Sequence, residues 1–141
     1  MRGSGCFPAF VQHSVFDPEK VESVLKYANI NNMKYTFLYY SDRVHKEILS
    51  LPQALLAEFL AMKVIMETEG PALGMPYTKA MGDGLFEMRL SERDGIARVF
   101  YCTVKKTHIM VLHSFVKKTK KTPEQELKLA KKRLKEVISH G

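Results

Sequence analysis

Cysteine is scarce in this 141-residue chain, with only Cys6 and Cys102, and tryptophan is absent. Two cysteines make neither a disulfide framework nor a thiolate metal site. No apolar run approaches the roughly 20 residues that a membrane-spanning helix needs. The amino terminus lacks the cationic segment and long apolar stretch of a signal peptide. These absences set the expectation of a cytoplasmic protein without membrane contact. The five histidines, His13, His45, His108, His113 and His140, show no ligand spacing with Cys or Asp, so no metal is expected. There is no P-loop, Gly82-Asp83-Gly84 reads as a turn rather than a dinucleotide fingerprint, and no serine-hydrolase elbow occurs. No cofactor is called for.

What is present is a globular balance of 45% apolar and 26% charged residues, which excludes wholesale disorder and suits one modest core. The net charge of +7 is unevenly placed. Residues 105–141 hold eleven Lys or Arg against Glu124, Glu126 and Glu136, an excess of +8, whereas the rest of the chain stands at −1. Such a concentration suits a polyanion or an acidic protein partner, or else a solvated face.

The first 32 residues, broken by Gly3, Gly5, Pro8 and Asn29 to Asn32, read as an extension. It carries one short helix capped by Asp17, with Val21, Val24 and Leu25 on one face. Met1-Arg2-Gly3-Ser4 is read as a tag or upstream start and Met33 as an alternative start, so the main domain is placed at 33–141. Tyr35 to Tyr40 has the composition of a strand. Ser41 or Asp42 can cap a helix with Val44, Ile48 and Leu51 on one face. Pro52 opens a second helix striped by Leu55, Phe59, Met62 and Met66, which Gly70-Pro71 ends near Glu69, so the two form a helical hairpin. Residues 71–84 read as a loop. Three strands follow, at 85–90, 96–104 and 108–116, with Phe86, Met88 and Leu90 as the buried set of the first. Thr122, Pro123 and Gln125 open a basic amphipathic helix whose stripe is Leu127, Ala130, Leu134, Val137 and Ile138. The fold expected is α+β: a small, mainly antiparallel sheet with the helical hairpin on one face and an open face lined by Glu87, Arg89, Arg98 and the 117–121 loop.

Alternation along the first of these strands puts Glu87 and Arg89 on one side. Arg98 is a lone cation in the apolar run 96–101, and an unpaired buried guanidinium is costly. It must therefore pair with a carboxylate such as Glu87 or line a cleft open to an anion. With Lys117, Lys118, Lys120 and Lys121 close by and His113 in the next strand, these residues contain what metal-free RNA cleavage requires. The 2′-hydroxyl must lose a proton, the phosphorane must be neutralised and the 5′-oxygen must gain a proton. Arginine suits the second task because its fork holds two phosphate oxygens while staying charged. Glu87 or a lysine is the candidate base, and His113 or Lys118 the candidate acid. The alternative is a plain cross-strand ion pair beside a core histidine.

The runs Gly84-Leu85-Phe86-Glu87-Met88-Arg89, Arg98-Val99-Phe100-Tyr101 and His113-Ser114-Phe115-Val116-Lys117-Lys118-Thr119-Lys120-Lys121-Thr122-Pro123 resemble, in order and spacing, the HigB-like, phage-related branch of the RelE toxin superfamily. The resemblance covers residues 34–137. It implies the toxin of a type II toxin–antitoxin pair, an endoribonuclease (mRNA interferase) acting on messenger RNA at the ribosome and held in check by a helix-turn-helix antitoxin. It further implies that Arg89 and Arg98 hold phosphate and backbone while Lys117 and Lys118 complete the basic site. Glu87 stands where the RelE branch commonly has a basic residue. Two readings from other classes compete with it: a non-catalytic nucleic-acid-binding module, and an adaptor whose basic face binds an acidic protein.

Overall fold

The computed structural model describes residues 33–93, 95–118 and 121–140. The extension assigned to residues 1–32 lies outside the described residues. The elements are β1 (Thr36–Tyr39), α1 (Asp42–Leu49), α2 (Gln53–Glu69), β2 (Thr78–Gly82), β3 (Leu85–Glu92), β4 (Gly95–Val104), β5 (His108–Lys117) and α3 (Glu124–His140). The strands form one sheet in the order β1-β5-β4-β3-β2, antiparallel throughout except for the parallel pair β1–β5. The architecture is the α+β one expected.

Local chemistry accounts for the helix boundaries. The Ser41 side chain accepts a hydrogen bond from the Val44 N–H at 3.2 Å and caps α1, which buries Val44 and Ile48. Pro52 stands between α1 and α2, and the chain turns through 118° at this break, so the pair forms an elbow, short of antiparallel. Gly70, at φ +96°, ends α2 and donates its N–H to the Met66 carbonyl. That left-handed backbone favours glycine, and an added Cβ would also meet the Tyr35 ring at 3.4 Å. No single helix among the described residues is long and apolar enough to cross a membrane.

The core has two layers because both faces of the sheet are covered. On one face Val44, Ile48, Leu55, Phe59, Met62 and Met66 of α1 and α2 pack on Phe37, Met88, Leu90, Ala97, Val99, Tyr101, Ile109 and Val111. Each large side chain so buried contributes ~1.5–3 kcal/mol. On the other face Ala130 and Leu134 of α3 pack on Leu85, Phe100, Cys102 and Leu112.

That second layer corrects the expectation of an open face. Met88 and Leu90 are buried as expected and Phe86 partly so, but Leu85 and Glu87 on the opposite side are buried as well. The supposed loop also needs correction, because residues 78–82 form β2 and pair with β3. The hairpin turns at Asp83 and Gly84, whose φ values of +58° and +88° are those of a tight two-residue turn. Asp-Gly between strands is the sequence signal for it. Finally, α3 begins at Glu124, and Ile138 is 61% exposed, outside the buried stripe.

Candidate functional site

Register decides which polar side chains meet. Arg89 on β3 lies directly opposite Arg98 on β4, which lies opposite Phe115 on β5. One row back, Glu87 faces Phe100, which faces His113. One row forward, Ile96 faces Lys117. Directly opposed residues share a face, so Glu87, Arg89, Arg98, His113, Phe115 and Lys117 all lie on the α3 side of the sheet.

Two arginines facing each other across neighbouring strands repel, and Glu87 answers both. Its Oε1 is 3.4 Å from Arg89 Nη1 and its Oε2 is 3.7 Å from Arg98 Nε. Arg98 Nη1 also donates to the Ala97 carbonyl at 3.1 Å. Glu87 and Arg98 are buried, at 3% and 6% exposure, whereas the Arg89 side chain keeps 31%. One carboxylate against two guanidiniums leaves a formal surplus of one positive charge, and Arg89 carries it to the solvent side.

The electrostatics agree with this crowding. Burial, then the neighbouring Arg89, lowers the Arg98 pKa, while Glu87 opposes the shift. Arginine nevertheless stays protonated. Lys117 is lowered by burial first and by Arg98 and Arg89, against Glu87. A lysine whose ammonium is disfavoured has more free amine near neutral pH, the form that accepts a proton.

Of the other residues predicted from sequence, Lys118, just past β5, and Lys121, before α3, are exposed. Lys120 lies outside the described residues. His113 is 8% exposed, its Nε2 is hydrogen-bonded to Glu126 in the first turns of α3, and its Nδ1 is buried without a hydrogen-bond partner among the described residues. The structure thus brings Glu87, Arg89, Arg98 and Lys117 together and places His113 beneath α3.

Sequence reasoning missed two polar residues here. Lys79 on β2 lies opposite Glu87, exposed and on the same face, and was hidden by the reading of 71–84 as a loop. Glu126 pairs with His113 only because α3 folds back over β5. The Asp83-Gly84 turn could have revealed the first, but no local signal reveals the second. Among the described residues no group of three His, Cys, Asp or Glu is placed to hold a metal ion. A largely apolar cleft of about 530 Å³, lined by Leu38, Val104, His108, Met110 and Ile138 among others, lies at the far end of β4 and β5 and includes none of these site residues.

Comparison with known proteins places the chain in a family. A search of curated proteins returns no match. The model of the phage-derived Gp49-like proteins (DUF891) matches residues 46–135, a span that runs from α1 into α3 and holds Glu87, Arg89, Arg98, His113 and Lys117. Because that match covers well over half of the 141 residues, the chain belongs to the phage-derived Gp49-like (DUF891) family.

Proposed function

We propose that this protein is the toxin of a type II toxin–antitoxin pair, a metal-independent endoribonuclease that cuts messenger RNA on the ribosome. The observation that carries the reading is the convergence of Arg89 and Arg98 on one carboxylate, with Lys117 in the adjacent row of the same face. Membership of a family grouped with the RelE/HigB-like toxins supports it. So does the excess of +8 over residues 105–141, which suits docking to a polyanionic ribosomal surface.

In this reading Arg98 and Arg89 grip the non-bridging oxygens of the scissile phosphate, where charge grows in the transition state. The amine of Lys117 takes the proton of the 2′-hydroxyl, and the 2′-oxygen bonds to phosphorus. The bond to the 5′-oxygen breaks as that oxygen receives a proton from the ammonium of Lys118. A cyclic phosphate results, and water opens it to a 3′-phosphate. Glu87 is held by two guanidiniums, so its part is to aim them rather than to serve as base. His113 positions β5 against α3 through Glu126.

The expected partner besides RNA is a helix-turn-helix antitoxin whose acidic segment covers Arg89, Arg98 and Lys117. The test is inducible expression followed by primer extension on cellular messages. New 5′ ends within translated frames and arrested growth are expected. Messages left intact at full expression of folded protein would contradict the proposal.

A further inference from the structure

Phe115 has no part in the scheme above, yet its place in the site is specific. It lies directly opposite Arg98, and Lys117 is the next residue on the same face of β5. Directly opposed side chains stand about 4.5–5.5 Å apart at Cβ, and neighbours two residues apart on a strand about 6.5–7 Å. Phe115 is therefore flanked by the two cations that the scheme assigns to phosphate and proton transfer.

Its ring belongs to a ladder. Phe115 and Phe100 have centroids 6.0 Å apart with planes inclined by 27°, and Phe115 and His113 are likewise 6.0 Å apart with planes inclined by 23°. Phe100 is fully buried and His113 is 8% exposed, whereas Phe115, which packs against the same α3-side layer, is only partly buried and is the most exposed of the three rings. His113 is in turn fixed by Glu126. A partly exposed aromatic ring, backed by two fixed rings and bordered by cations, is the arrangement that single-strand binders use to stack a base while gripping its phosphate.

We propose that Phe115 is a nucleobase-stacking subsite, on which the base adjoining the phosphate held by Arg98 lies flat. The inference rests on single-stranded RNA being the ligand and adds to it a contact independent of the cleavage chemistry. A nucleotide's base and phosphate are separated by one sugar, so a phosphate on Arg98 puts the attached base over a neighbouring residue, and Phe115 is the aromatic residue there. Stacking of this kind is sequence-tolerant, since every base has a π face. It predicts a site that selects unstacked RNA over duplex rather than one base over another.

The test is equilibrium binding of the full-length protein, at low salt, to a single-stranded decamer that is 2′-O-methylated throughout to block cleavage. One 2-aminopurine in the decamer reports stacking through loss of its fluorescence. The parent should bind and quench. Phe115→Leu, which keeps apolar volume without a π face, should bind at least ~10-fold more weakly without quenching while melting like the parent. Phe115→Tyr should restore both signals. Equal affinity and quenching for the parent and Phe115→Leu would overturn the subsite and leave the nuclease reading standing, as would a Phe115→Tyr variant that folds yet binds as weakly as Phe115→Leu. A folded parent that does not bind the decamer at any salt concentration would overturn the subsite, while new 5′ ends in cellular messages would still separate the nuclease reading from it.

Discussion

At the scale of single residues, the site turns on how two like charges are held side by side. Arg89 and Arg98 occupy opposed positions in a ladder, where repulsion is destabilising, and Glu87 offers each one carboxylate oxygen. Burial, and then the same crowding of cations, lowers the Lys117 pKa. Lys117→Arg is therefore the informative change: it keeps the positive charge but gives a group that cannot be deprotonated. Single-turnover cleavage should fall by ~100-fold or more, while RNA binding changes little. The parent's rate should rise with pH along a limb whose midpoint lies below lysine's ordinary 10.5, and this limb should vanish in the variant. A fall in binding equal to the fall in rate would assign Lys117 to electrostatic grip alone. Glu87, Arg89 and Arg98 were legible in the sequence because alternation fixes strand faces and a cation within an apolar strand demands a partner. Lys79, Phe115 and Glu126 were not, because their roles depend on which strands and helices become neighbours.

At the scale of elements, polar contacts tie helices to both faces of the sheet. Glu58 on α2 is buried and accepts the Ser91 N–H of β3 at 3.0 Å. Burial first, and Glu92 second, push its pKa up to about 8 from 4.5, with the Ser91 bond opposing. The folded state thus keeps a proton that the unfolded chain gives up near 4.5, so stability should decline as pH rises from about 4.5 to about 8 and then level off. Glu58→Gln keeps an acceptor for Ser91 and needs no proton. Thermal melts should show it near the parent at pH 4.5 and higher by ~4–8 °C or more at pH 8.5, the shift that about 1 kcal/mol produces in a small domain. On the other face, Glu126 takes the His113 Nε2, Arg133 donates to the Leu112 carbonyl at 2.7 Å, and Tyr40 donates to Glu136. Glu126→Ala leaves the buried imidazole without that partner and should cost about 1–3 kcal/mol, read from denaturant midpoints. An unchanged midpoint would mean that the contact contributes nothing net. Period, caps and breakers made α1, α2, β3, β4 and β5 readable. The placement of α3 across the sheet was not, because an amphipathic stripe says that a face is buried but not against what.

At the scale of the whole molecule, the α1–α2 face is a conventional core, and the α3 face combines a core at one end with charged chemistry at the other. Leu85, Phe100, Cys102 and Leu112 lie under Ala130 and Leu134, Phe115 packs against that layer, and Arg98 and Lys117 continue the same face. The apolar layer gives the cations a fixed floor, and a concentration of positive charge such as that of residues 105–141 attracts polyanions at long range. The proposed function has this face cut RNA through Arg98. The measurement that tests it most directly compares the parent with Arg98→Ala on translating ribosomes, recording cleavage rate and ribosome association together after melts show both proteins folded. Cleavage should fall by ~100-fold or more in the variant while association stays within a few-fold of the parent. A folded Arg98→Ala protein that cuts as fast as the parent would show that Arg98 has no part in cleavage.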